Sequence, residues 1–149
     1  MKAQDFWKFL CEEMGYRFFA GVPCMGFKTL YGSMSPRFMH YIPAVRENIA
    51  LGLANGSYLA GTKSAVIMNL DRLYNLLDWL TSFNCEHSVP ILILAYRDSY
   101  DEKMISALAS YGIPHKVLVS VEKDIKSLLK KMDKLGLPGI AIIEEGVLE

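Results

Sequence analysis

The stretch "YIPAVRENIALGLANGSYLAGTKSAVIMN", residues 41–69, decides the fold. It closes a strand at Pro43, runs through a helix over 46–60 that Gly61 ends, and opens a second strand, "SAVIMNL", at 64–70. Strands joined through a helix rather than a two-residue turn lie parallel in one sheet. The same stretch carries a chemical oddity. Glu47 stands at the head of a helix otherwise built from small and apolar residues. An acid in a first helical turn complements the backbone dipole, and a carboxylate held in a site can also exchange a proton. Both readings stand at this point.

Outward from this unit the alternation continues in both directions. Residues 3–14 place Phe6, Phe9 and Leu10 on one helical face, and Gly15 ends the element. "YRFFAGVP" (16–23) reads as a short buried strand stopped by Pro23, "GFKTLYGSM" (26–34) as a short helix and "FMHYIP" (38–43) as a strand. A helix is predicted over 71–84, with Asp71 as its N-cap and Leu73, Leu76, Leu77 and Leu80 at helical spacing. Strand 89–96, helix 102–111, strand 115–121, helix 122–135 and strand 139–145 follow. The helix at 122–135 is capped by Ser120 or the residues after it and ended by Gly136. Six α–β repeats with apolar strands predict a three-layer α/β/α sandwich around a mainly parallel six-stranded sheet. Ligands of such sheets sit beyond the carboxyl ends of the strands.

Composition narrows the function. The 149 residues are 52% hydrophobic and 21% charged, the expectation for a single globular domain. Sixteen basic residues balance sixteen acidic ones, which gives nucleic acid or an anionic membrane surface no electrostatic footing. The longest apolar run, "VPILILAY" (89–96), is far short of the about 20 residues that span a bilayer. Asp5, Lys8, Glu12 and Glu13 interrupt any signal core. Cys11, Cys24 and Cys85 are odd in number and without C-x-x-C spacing, which predicts a reducing, cytoplasmic setting.

The common cofactor and nucleophile motifs are missing. "AGVPCMGFKTL" completes neither a dinucleotide fingerprint nor a phosphate loop, and no G-x-S-x-G elbow occurs. His40, His87 and His115 lie far apart without metal-ligand spacing, so no metal is expected on this chain's own residues. Cys24 follows Pro23 at a strand end, where loops carry function, and no histidine lies in register to activate it. Ala50 and Ala54 are four apart, as are Gly52 and Gly56, which fits close packing on the protein's own sheet or against a partner.

Four segments, "FFAGVPCMGFKTL", "YIPAVRENIALGLANGSYLAGTKSAVIMN", "VPILILAYRD" and "LASYGIPHKVL", resemble in order the pyrimidine-binding domain of thiamine-diphosphate-dependent decarboxylases. The resemblance is to the alpha subunit of sulfopyruvate decarboxylase and the matching half of phosphonopyruvate decarboxylase, and it covers nearly the whole chain. It implies that Glu47 hydrogen-bonds N1′ of the cofactor's aminopyrimidine and promotes the imino tautomer that deprotonates C2 of the thiazolium. The cofactor then carries the difficult chemistry of decarboxylating a 2-oxo acid. The family binds magnesium and the diphosphate through a separate domain with a G-D-G motif and paired asparagines. No G-D-G occurs here, so the resemblance implies a beta subunit carrying that motif, a hetero-oligomer, and Mg2+ held mainly by the partner.

By the same resemblance Pro23, Cys24 and Asn69 border the cofactor, while His40, Arg46, Arg72 and Arg97 are candidates for an anionic substrate. The implied reaction converts sulfopyruvate to sulfoacetaldehyde and CO2, on the route to coenzyme M. The chain departs from the family at "NLDRLYN" (69–75), where a glycine-containing segment is usual, and at "YRD" (96–98), where the family has W-R-G. Those departures leave open another 2-oxo acid, such as phosphonopyruvate, or a non-catalytic, regulatory subunit that retains the fold.

Overall fold

The computed structural model describes residues 1–99 and 101–149. Strands β1 (Phe18–Gly21), β2 (His40–Pro43), β3 (Ser64–Asn69), β4 (Leu92–Arg97), β5 (His115–Val117) and β6 (Gly139–Glu144) form one sheet. Their order is β2-β1-β3-β4-β6-β5, and every pairing is parallel. The six-stranded α/β/α architecture expected from the alternation is what the chain adopts.

Side chains alternate across the sheet and bury two cores. Ala65, Ile67, Leu92, Leu94, Ala141 and Ile143 face helices α1 (Ala3–Lys8), α2 (Lys28–Gly32) and α6 (Val121–Leu135). Val66, Met68, Ile93, Ala95, Ile140 and Ile142 face α3 (Glu47–Leu59), the segment Leu70–Cys85 and α5 (Glu102–Ser110). Strands covered on both faces need apolar residues at every position, which is why they read as unbroken apolar runs.

Several helices depart from the expected form. The helix at 3–14 is α1 followed by a π turn at Phe9–Glu13, and α2 is entered through a 3-10 turn at Met25–Phe27. The single helix expected at 71–84 is instead a 3-10 helix over Leu70–Leu76, a short α4 (Leu77–Trp79) and a π turn over Leu80–Cys85. The reason lies in the spacing of leucines. Leu70, Leu73 and Leu76 recur every three residues, and a 3-10 helix stacks such residues on one face; all three are buried. Asp71 therefore lies inside this 3-10 helix and caps nothing, because Asn69 occupies the flanking position.

The strand expected at 115–121 stops at Val117. Beyond it, the N–H groups of Val119 and Ser120 each donate to Asp124 Oδ2 at 2.9 Å. The start of α6 is thus capped by a residue after Ser120, not by the serine hydroxyl. Gly136 ends α6 with φ 64°, its N–H donating to the Met132 carbonyl at 2.8 Å.

Helix α3 packs Ala50 and Ala54 against the sheet, and both are fully buried. A Cβ added at Gly52 or Gly56 would meet nothing, so those glycines face outward. The small-residue pattern therefore divides: the alanines serve the protein's own sheet and the glycines do not. α3 is also tied to the π turn by a reciprocal amide pair. Asn55 Nδ2 donates to Asn84 Oδ1 at 3.2 Å, and Asn84 Nδ2 returns the bond to Asn55 Oδ1 at 2.7 Å.

Candidate functional site

From β1 the chain moves outward to β2, then crosses back over β1 to β3 and on toward β4. The strand order thus reverses between β1 and β3, and a crevice opens beyond their carboxyl ends. A cavity of about 740 Å³ occupies this place. Three loops line it: Val22–Met25 after β1, Val45–Asn48 at the start of α3, and Asn69, Arg72 and Asn75 after β3.

Each wall is held by a local device. Gly21 ends β1 against the backbone of β3, where an added Cβ would lie 2.1 Å from the Ile67 carbonyl oxygen. Gly26 lets the following 3-10 turn lie on β4, since a Cβ there would strike the Tyr96 ring. Behind this loop, the Cys24 N–H donates to Tyr31 Oη at 3.3 Å, and the Tyr31 hydroxyl points to Cys24 Sγ at 3.9 Å. Burial pushes the Cys24 thiol above its ordinary pKa, so it lines the cavity as a neutral thiol at pH 7. The third wall is the 3-10 helix after β3. Its period of three sends Leu70, Leu73 and Leu76 into the core and sets Asn69, Arg72 and Asn75 along the cavity.

Glu47 is half-buried at the first position of α3, and its carboxylate has no hydrogen bond or ion pair among the described residues. Arg46 and Arg72 are exposed on separate walls and take no part in an ion pair among the described residues. Asn69 Oδ1 is buried and makes no hydrogen bond among the described residues. The site thus combines an unpaired acid, two cationic side chains and an amide oxygen without a partner. Of these, the buried amide oxygen is the one that costs free energy to leave without a partner.

No protein-family model matches the chain. Over 112 residues, 74% of its length, it is 30% identical to the sulfopyruvate decarboxylase subunit alpha of Methanococcus maripaludis, of which it covers 67%. The chain belongs to the sulfopyruvate decarboxylase alpha-subunit family. A sulfopyruvate decarboxylase of Methanosarcina acetivorans is 26% identical over 153 residues, 94% of this chain but 39% of that longer protein. Among solved structures, a 2-oxoglutarate:ferredoxin oxidoreductase from Magnetococcus marinus superposes with a TM-score of 0.77 at 16% identity, covering 99% of this chain and 29% of that one. An enzyme from Mycobacterium smegmatis described as thiamin diphosphate-dependent gives 0.70 at 13% identity, covering 97% of this chain and 30% of the other. These two show the shared fold.

Within this alpha-subunit fold, Pro23, Cys24, Arg46, Glu47, Asn69 and Arg72 come together on the cavity. Two residues singled out from the sequence do not. His40 begins β2 rather than ending it, and it lines a separate, largely apolar cavity with Tyr31, Met34 and Met39. Arg97 ends β4, where Glu144 of the neighbouring strand pairs with it, and it is not among the cavity-lining residues. Asn48 and Asn75 line the cavity but were not singled out from the sequence. Asn75 was legible in principle: it follows Asn69 and Arg72 at intervals of three, complementary to the leucine stripe. Among the described residues no helix is long and apolar enough to cross a membrane.

Proposed function

We propose that this chain is the pyrimidine-binding, alpha subunit of a thiamine-diphosphate-dependent 2-oxo acid decarboxylase that converts sulfopyruvate to sulfoacetaldehyde and CO2. The observation that carries this reading is the unpaired, half-buried Glu47 carboxylate on a cavity at the switch point of the sheet. The cavity's residues fit the cofactor's aminopyrimidine end, because an acid and an orphaned amide oxygen stand on different walls. Thiamine diphosphate, when bound, supplies the nucleophilic carbon and the electron sink that decarboxylation needs.

The chain's own contribution is binding and proton control. Glu47 holds a proton at the ring nitrogen of the aminopyrimidine. Pro23 and the neutral Cys24 thiol shape the floor without entering the chemistry as nucleophiles. Arg46 and Arg72 attract the carboxylate and second anionic group of the substrate. Asn75 extends the polar wall on which Arg72 stands.

The remainder of the site belongs to a partner. We assign Mg2+ and diphosphate binding to a beta subunit with a G-D-G motif and paired asparagines, this chain being a single pyrimidine-binding domain of a cytoplasmic hetero-oligomer that serves coenzyme M synthesis. Exposed apolar side chains around the cavity support the docking of that subunit beside it. Met25 and Val45 line the opening yet are 82% and 84% exposed, and Ile49 and Leu59 continue the rim along α3. The test is co-expression with the G-D-G subunit and assay of CO2 release. Release from sulfopyruvate that needs both chains and added thiamine diphosphate is expected. Sulfopyruvate left intact by the assembled, cofactor-loaded complex would overturn the assignment.

A further inference from the structure

We infer that Tyr74 is a positioning residue, its hydrogen bond to Asp101 holding the 3-10 helix after β3 in the winding that keeps Arg72 on the cavity; this rests on the substrate reading above. The helix runs seven residues, Leu70–Leu76, where 3-10 runs beyond about four are uncommon because their hydrogen bonds are poorly aligned. Such a length needs side chains to anchor it. At three residues per turn it has three faces. Leu70, Leu73 and Leu76 are buried in the core, and Arg72 and Asn75 line the cavity. The third face carries Asp71 and Tyr74. From there the Tyr74 hydroxyl donates to the Asp101 carboxylate, 3.3 Å from Oδ1 and 3.1 Å from Oδ2. Asp101 is itself fixed, because it is the N-cap of α5 and its Oδ1 accepts the Met104 N–H at 3.0 Å. Met104 and Leu108 of α5 are buried in the same core as the three leucines. The carboxylate cannot follow the tyrosine without giving up its cap, so α5 serves as the fixed point.

Winding decides where Arg72 points. A 3-10 helix turns about 20° more per residue than an α-helix, so rewinding from Leu70 would carry Arg72 about 40° and Tyr74 about 80° round the axis. The buried leucines favour the tight winding. The tie to Asp101 fixes it two residues beyond Arg72, on a face the leucines do not hold. Tyr74 is 47% exposed, so the bond adds little to global stability. Its effect falls on the direction of one side chain. Arg72 is exposed and takes no part in an ion pair among the described residues, so the backbone beneath it sets where its guanidinium starts. A guanidinium recognises an anionic group through hydrogen bonds of fixed geometry, and a turned backbone loses that match. Tyr74 thereby tunes affinity for the second anionic group of the substrate without touching it.

The experiment is a double-mutant cycle on the complex co-purified with the G-D-G subunit: wild type, Tyr74→Phe, Arg72→Ala and the two together. Turnover of sulfopyruvate gives KM and kcat. Calorimetry gives the Kd of sulfopropionate, which has both anionic groups and no 2-oxo group to react. Tyr74→Phe removes only the hydroxyl. It should raise KM and the Kd about three- to fivefold, part of the effect of one hydrogen bond, with kcat unchanged. Arg72→Ala should weaken both by about tenfold or more. Adding Tyr74→Phe to Arg72→Ala should then change nothing further, because the residue it positions is gone. Asp101→Ser keeps a capping oxygen but shortens the reach to Tyr74, and should reproduce Tyr74→Phe. Wild-type affinity in Tyr74→Phe, or its full effect persisting in the Arg72→Ala background, would overturn the positioning role and leave the substrate reading in place. A wild-type complex that neither turns over sulfopyruvate nor binds sulfopropionate would overturn both.

Discussion

At the scale of single residues, Glu47 is where the dipole and proton-exchange readings of the sequence part. If the carboxylate only complements the dipole of α3, Glu47→Gln costs at most about 1 kcal/mol of stability. Its unpaired, half-buried position on the cavity favours the other role. With the amide unable to exchange a proton, turnover of the assembled enzyme should fall roughly 10²–10⁴-fold while folding and partner binding persist. Deuterium exchange at C2 of the bound cofactor, followed by NMR, reads this directly. Wild-type exchange in the fully loaded variant would return Glu47 to a dipole role. Glu47, Pro23, Cys24, Arg46 and Arg72 were nameable from the sequence because strand ends and helix starts are legible there. His40 and Arg97 were not separable from them, because strand ends were placed only to within a few residues and ion pairs between strands are invisible in one dimension.

At the scale of elements, two side-chain devices set how helices meet the sheet. The Asn55–Asn84 pair is buried, and Asn84 Nδ2 also donates to the Val89 carbonyl at 3.0 Å. Asn55→Ala leaves Asn84 Oδ1 buried and unpaired, so urea unfolding should show a loss of about 1–3 kcal/mol. The double change Asn55→Ala with Asn84→Ala should cost less than the sum of the two single changes. In α6, the Val119 N–H bond to Asp124 is the main cause holding its carboxyl below the ordinary carboxylate range, with Ser120 and Lys116 adding to it. A depressed pKa contributes stability that is present above the unfolded value and lost as pH falls through the folded one. Asp124→Ala should therefore cost about 1 kcal/mol near neutrality, and the gap from wild type should close below about pH 4. Thermal melts of both proteins across that range check it. A gap that persists unchanged at pH 2 would show that the loss is one of packing.

At the scale of the whole molecule, the cavity is open and carries no cluster of His, Cys, Asp or Glu able to hold a metal among the described residues. The isolated chain should accordingly bind thiamine diphosphate with Mg2+ weakly or not at all, and gain affinity on adding the G-D-G subunit; tight stoichiometric binding by the chain alone in calorimetry would contradict this. The sequence by itself determined the α/β class and the parallel sheet, because these rest on local periodicity and on apolar runs that only doubly covered strands require, whereas the role expected of Glu47 came through the family resemblance. Strand order was decided by tertiary packing, since every β–α–β unit looks alike along the chain and only the choice of neighbour creates the switch point. The 3-10 helix at Leu70–Leu76 was decided there too. Its leucines fit an α-helix nearly as well by spacing alone, and the sheet's face selects the tighter winding that buries Leu70, Leu73 and Leu76 together and leaves Asn69, Arg72 and Asn75 to the cavity.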